Sequence, residues 1–177
     1  MNGRNGFTLI ELMVSSAIAM AVGLAITMLL KVNQQSWEVS HAYFGSSLEL
    51  RRAAAMSREL VAAVNSTVSI PADGAWYNTI SFRVPQDMNG DGVVVFSNGS
   101  LEMSNPITYS LGGSTGNLVI RTQEGKNDRA VALGVSALQF RRQAANPEMV
   151  EIQITVQRGM GDFKNQGSWI TRVRMRN

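Results

Sequence analysis

The first thirty positions and the next thirty-four differ in how apolar side chains are spaced. From Gly6 to Leu30 the chain reads GFTLIELMVSSAIAMAVGLAITMLL, an almost unbroken apolar run closed by Lys31. At ~1.5 Å of rise per residue, that run spans a hydrocarbon core of ~30 Å as one helix. Nothing stops the helix at Lys31. From Val32 to Val64 there is no Pro and one Gly, Gly45, so the composition stays helix-favouring. Helical spacing puts Leu50, Ala53, Ala54, Ser57, Leu60, Val61 and Val64 on one arc, with Arg51, Arg52, Arg58 and Glu59 across from it. The pattern therefore predicts one helix of about 85 Å from Phe7 to Val64. Its first half is membrane-embedded, and its second half is amphipathic against a domain.

After Asn65 the period shortens to two. Ile80/Phe82/Val84, Ile107/Tyr109/Leu111, Leu118/Ile120 and Val150/Ile152/Ile154/Val156 alternate with polar neighbours, as half-buried strands do. Val93–Phe96 and Leu138–Phe140 are shorter candidates. In the last segment Trp169, Thr171, Val173 and Met175 face one way, and Arg172, Arg174 and Arg176 the other. Turn signals fall at Pro71–Gly74, Asn89–Gly92, Gly112-Gly113, Glu124-Gly125 and Gly159–Gly167. One long helix followed by antiparallel strands predicts an α+β fold, with a sheet folded onto the amphipathic half of the helix.

Two features separate the apolar run from a plain anchor. Glu11 lies near its start, where a carboxylate in lipid costs ~2.5–3.5 kcal/mol or more without a partner. A short polar leader with Arg4 as its only charge precedes it, and no A-x-A-like cleavage site follows. Gly6-Phe7-Thr8-Leu9-Ile10-Glu11 resembles the prepilin motif of type IV pilins, type II secretion pseudopilins and related filament subunits. The resemblance implies that a prepilin peptidase cuts after Gly6 and methylates Phe7, and that the helix packs into a filament core. It also implies that Glu11 pairs with an α-amino group during assembly. A buried carboxylate is tolerable beside a cation, and cleavage after Gly6 creates one at Phe7. The expected organisation is a leader at 1–6, a transmembrane and filament-core helix at 7–30, an amphipathic half at 31–64 and a β-rich pilin domain at 65–177. Many major pilins carry a Pro in the first helix half. Here none precedes Pro71, which fits a minor subunit or pseudopilin better. The strand closing in Arg-Asn resembles PilW-type minor pilins and J-type pseudopilins. The implied location is the bacterial inner membrane, single-pass with the domain on the periplasmic side, and then the filament. The implied partners are other minor and major pilins or pseudopilins.

Composition narrows the chemistry. Of 177 residues none is Cys, so the domain holds by core packing, without disulfides or thiol chemistry. The net charge of +3 names no partner by itself. One His and scattered carboxylates assemble into no Ser-His-Asp order, metal-ligand cluster or acid pair, so the chain reads as a non-enzyme.

Three segments invite a site reading. Asp87-Met88-Asn89-Gly90-Asp91-Gly92 matches the first half of a calcium loop, with Asp87, Asn89 and Asp91 as ligands. Asn98 stands where the bidentate Glu belongs, Glu102 lies farther along, and a hairpin turn explains the same residues. Gly112–Gly116 lacks the Lys of a phosphate loop and leads into a strand, so it reads as a hairpin. The basic clusters Arg51/Arg52/Arg58, Arg141/Arg142 and Arg172/Arg174/Arg176 read as solvated or subunit-contact charges, or as a DNA-backbone surface. The main expectation is a minor pilin or pseudopilin that initiates or caps a filament. The alternatives are a DNA-binding minor pilin in DNA uptake and a calcium-dependent adhesive tip subunit.

Overall fold

The computed structural model describes residues 8–160 and 163–176. It is α+β: one helix, α1 (Leu9–Ala62), lies against two antiparallel sheets. Thr8 opens α1 with a capping box, its hydroxyl accepting from the Glu11 N–H while the Glu11 carboxylate accepts from the Thr8 N–H. Beyond Ala62 the backbone turns extended at Ala63, and the Ala63 N–H still donates to the Leu60 carbonyl. The helix therefore stops two residues short of the expected Val64, where a β-branched residue enters a bridge with Arg176.

The domain-facing stripe of α1 is Ala42, Ser46, Glu49, Ala53, Met56 and Leu60, at alternating spacings of four and three. This corrects the expected arc. Val61 is exposed, Leu50 only half-buried, and Met56 and Glu49 lie inside. Glu59, expected on the solvent side, turns to the domain. Its carboxylate accepts from the Tyr109 hydroxyl at 2.9 Å and from the Arg121 Nε at 3.0 Å. Charge set the expected arc, but a carboxylate with two donors can lie at a packed face.

The first sheet has the order β1 (Trp76–Tyr77), β6 (Val135–Gln143), β7 (Asn146–Met160), β8 (Phe163–Arg174). The second runs β2 (Thr79–Phe82), β3 (Ile107–Gly112), β4 (Leu118–Gln123), β5 (Lys126–Leu133). The single expected sheet is thus two. Alternation places Phe140, Leu138, Ile152, Ile154, Val156 and Val173 in the core, each large side chain contributing about 1.5–3 kcal/mol by leaving water. Phe82 stacks on Tyr109 with ring centroids 6.1 Å apart.

Three expectations need correction. In β4 the buried residues are Val119 and Gln123, while Leu118 and Ile120 lie on the opposite, half-buried face over Gly113 and Gly112. A period of two tells which residues share a face, not which face is inside. Val93–Phe96 belongs to neither sheet. It is exposed, and only Val95 bridges, to Leu101. The Gly159–Gly167 turn is mostly strand, because β7 and β8 pair from Met149↔Arg174 to Met160↔Phe163. Gly167 sits in β8 where α1 comes close, and a Cβ there would meet Leu50 at 3.0 Å. The edge strand β5, polar and unmarked by alternation, was not anticipated.

The carboxyl-terminal segment latches onto the helix end. The Arg176 N–H donates to the Ala63 carbonyl at 3.0 Å, and the Asn65 N–H donates to the Arg176 carbonyl at 2.9 Å. This satisfies a backbone group the helix leaves open and buries Met175.

Candidate functional site

Chemistry that sequence places at the amino terminus falls partly outside the described residues. Leader 1–6 and Phe7 lie there, and with them the expected processing pair Gly6 and Phe7. Glu11 is described. Its Oε2 accepts from both the N–H and the hydroxyl of Thr8 at 2.9 Å, so the carboxylate closes the first turn of its own helix. The Thr-x-x-Glu spacing that signals this cap was present in the sequence.

Behind Glu11, the apolar half of α1 touches no part of its own domain. Leu9, Ile10, Leu12, Met13, Val14, Ile18, and further apolar residues through Leu30, are all exposed. Ser16 and Thr27 return their hydroxyls to carbonyls three residues back, so the run shows few free polar groups. Past Lys31, a second apolar stripe continues on the face turned away from the domain. Trp37, His41, Phe44 and Leu48 follow at spacings of four, three and four, all exposed. The Trp37 and His41 rings lie 4.1 Å apart. A helix with one stripe on its domain and another apolar stripe in water is built for a second partner.

The segment 87–92 folds as a self-satisfied turn. The Asp87 carboxylate accepts from the N–H groups of Gly90 at 2.7 Å and Gly92 at 2.8 Å, and these bonds hold its pKa below the usual carboxylate range. Asp91 accepts from the Val93 N–H, and the Asn89 amide donates to Asp91 and to Glu102 at 2.8 Å. Glu102 is fully buried and accepts from the Met88 N–H at 2.7 Å. The structure thus joins Asn89 to Asp91 and to Glu102, while Asp87 bonds backbone N–H groups of the same turn. Each of Asp87, Asp91 and Glu102 accepts at least one backbone N–H between Met88 and Val93. Among the described residues, no group of three or more His, Cys, Asp or Glu is placed to hold a metal ion.

The basic residues take different neighbours. Arg141 stacks on Trp76 and bonds Glu151, and Arg172 approaches the same carboxylate at 3.5 Å. Trp76, Arg141, Glu151 and Arg172 are register partners across all four strands of the first sheet. The Arg141 hydrogen bond, reinforced by both cations, holds the Glu151 carboxyl below its usual range. Arg174 faces Glu148 at 3.9 Å, while Arg176 takes part through its backbone in the latch at the helix end. Arg142 turns inward instead, donating to the Ile70 and Pro147 carbonyls at 2.8 and 2.9 Å. Arg52 bonds buried Glu49. Arg141 and Arg142 thus part, one to an ion pair and one to backbone anchors, while Arg172, Arg174 and Arg176 stay exposed at alternate positions. The grooves along the domain are shallow; one of about 280 Å³ is lined by Asn117, Gly134, Ser136, Gln157, Gly159 and Lys164.

The amino-terminal geometry has an outside counterpart. Residues 1–27 match the family model described as the prokaryotic N-terminal methylation motif. The chain carries the amino-terminal motif characteristic of type IV pilins and pseudopilins. No curated protein and no solved structure matches the chain. The methylation motif points to a structural subunit rather than an enzyme, to processing by prepilin peptidase and to assembly with other pilins. With the exposed apolar helix behind it, the motif fits membrane anchoring followed by entry into a filament.

Proposed function

We propose that this chain is a minor pilin or pseudopilin that initiates or caps a type IV pilus or a type II secretion pseudopilus. It enters the inner membrane once, with its globular domain on the periplasmic side. Prepilin peptidase cuts after Gly6 and methylates Phe7. Glu11 then exchanges its cap contacts for the α-amino group of a neighbouring subunit as the helix leaves lipid. The observation that carries this reading is the pair of stripes on α1. One is covered by the domain, and the other, from Trp37 to Leu48, continues the apolar surface of the membrane half with nothing over it. The absence of Pro before Pro71 supports a minor rather than a bulk subunit.

Stoichiometry tests the minor role. Quantitative mass spectrometry of sheared filaments is expected to find this chain at a small ratio to the main subunit, with filament number falling when its gene is deleted. Equal abundance, or unchanged filament number, would overturn it.

A further inference from the structure

Asn-Gly occurs at 2–3 and 5–6, outside the described residues, and again at Asn89-Gly90 and Asn98-Gly99. In this dipeptide a backbone nitrogen closes most easily on a side-chain amide, because glycine puts no Cβ in the way. Both described glycines hold positive φ, +80° at Gly90 and +82° at Gly99. By sequence and backbone the two pairs are alike. Their side-chain amides are held differently.

Residues 85–103 make a hairpin between β2 and β3, bridged from Pro85 to Met103 and from Val95 to Leu101. Asn89 lies in the turn near its base and Asn98 at its tip. At Asn89 the side-chain nitrogen donates to Asp91 at 3.0 Å and to Glu102 at 2.8 Å. Two carboxylates thus hold the group that would have to leave. The Gly90 N–H that would supply the attacking nitrogen donates to the Asp87 carboxylate at 2.7 Å. An acid in place of the Asn89 amide would face Asp91 and fully buried Glu102, and like charges so close oppose one another.

At Asn98 the arrangement is reversed. Its side-chain oxygen accepts from the Ser100 N–H at 3.0 Å and from the Ser100 hydroxyl at 2.6 Å, while its side-chain nitrogen has no acceptor among the described residues. Donors so placed meet the negative charge that develops on the oxygen when a nucleophile adds to Cγ. The Gly99 N–H donates to the Phe96 carbonyl at 2.8 Å, a neutral acceptor and a weaker tie than a carboxylate. Residues 91–100 are all exposed, so water and hydroxide reach the tip.

We infer that Asn98 is a site of self-modification, where the amide cyclises onto the Gly99 nitrogen and opens to a carboxylate, while Asn89 keeps its amide. Hydroxide takes the Gly99 N–H proton, and the nitrogen's electron pair forms a bond to Cγ. The carbonyl π pair moves onto Oδ1, between the Ser100 donors. Its return expels the side-chain nitrogen, which takes a proton from water and leaves as ammonia. Water then opens the cyclic imide at either carbonyl, giving aspartate or isoaspartate and returning a proton to the Gly99 nitrogen. No residue from Val93 to Leu101 carries a charge, so the hairpin tip acquires its first one as the chain ages.

Freshly purified full chain in detergent, incubated at neutral and at mildly alkaline pH, tests this by peptide mass spectrometry with fragmentation that separates aspartate from isoaspartate. Asn98 is expected to convert at least ~10-fold faster than Asn89, whose amide is held by charged partners, and faster at the higher pH. In denaturant the two are expected to convert at like rates. Ser100→Ala is expected to slow conversion at Asn98 by a factor of about two to ten, the worth of one hydrogen bond, and Ser100→Thr to restore it. Equal rates at the two residues in the folded chain, an Asn98 amide that persists, or a Ser100→Ala chain that converts like wild type overturns the assignment.

Discussion

Glu49 gives a sharp handle on how the helix is fixed to its domain. It occupies a position of the buried stripe that an apolar residue would fill, and only 3% of it is exposed. Its carboxylate accepts from the Leu133 N–H at 2.9 Å, Arg52 Nη1 at 2.9 Å and Arg158 Nη2 at 3.1 Å. It therefore ties α1 to the end of β5 and to β7 at once. Glu49→Ala strands the Leu133 N–H, which costs about 1–3 kcal/mol. Arg52 and Arg158 are 51% and 36% exposed in their side chains, so each lost pair adds only ~0–1 kcal/mol after solvent screening. The sum is about 1–5 kcal/mol. For a chain of this size each kcal/mol lowers the melting temperature by about 2–4 °C. Glu49→Gln keeps an acceptor for Leu133 and loses only the charge, so about 1 kcal/mol is expected. Thermal melting of the full chain in detergent, followed by near-ultraviolet circular dichroism, reads both variants. A Glu49→Ala protein that melts with wild type, or a Gln variant as damaged as the Ala variant, would refute this reasoning.

Thr8 and Glu11 can be separated. Thr8→Ala removes the cap and keeps the charge, so incorporation into filaments is expected to change little, whereas Glu11→Gln keeps an acceptor for the Thr8 N–H and is expected to lower incorporation at least ~10-fold. The opposite ranking in sheared-filament blots would show that Glu11 serves the helix end alone. For the 87–92 turn, Asp87→Ala is expected to lower the melting temperature equally in calcium and in chelator, since the lost acceptor served Gly90 and Gly92. A wild-type melting shift with calcium, abolished by Asp91→Ala, would reverse that assignment. Asp87 and Glu151 both have carboxyl pKa values depressed in the folded state. Their stabilisation is present above the ordinary carboxylate pKa of about 4 and is lost as pH falls through the depressed values. Melting temperature is expected to hold down to about pH 4 and fall below it, less steeply in Glu151→Gln; an equally steep fall in that variant would count against the Arg141–Glu151–Arg172 ladder.

Much of the plan was readable because it rests on period. The helix, β3, β7 and β8 alternate apolar and polar residues at the spacing their geometry demands, and the Gly-Phe-Thr-Leu-Ile-Glu motif is local in sequence. What escaped was set by partners distant along the chain. Glu59 reads as solvent-facing by spacing, but Tyr109 and Arg121 meet it, and Glu49, which carries no sequence signal of its own, is buried by Leu133 and Arg158. β4 was found with its faces reversed, because β3 and the helix decide which side is inside. β5 has no periodic signal, since its exposed edge needs none. Glu102 lies beyond the 87–92 segment in sequence, and only the fold of the intervening chain returns it to Met88 and Asn89. The apolar tip from Val93 to Phe96 looked like a core strand by composition, and its exposure is a property no local pattern encodes.

Processing at the amino terminus is the most direct test of the filament account. Intact mass and amino-terminal fragmentation would be measured on the chain recovered from sheared filaments and from the membranes of the same cells. The account predicts a filament-bound species that begins at Phe7, lacks Met1–Gly6 and has one added methyl on its α-amino group. Filament-bound chain that retains Met1–Gly6, or membrane chain never cut in the presence of active prepilin peptidase, would contradict it.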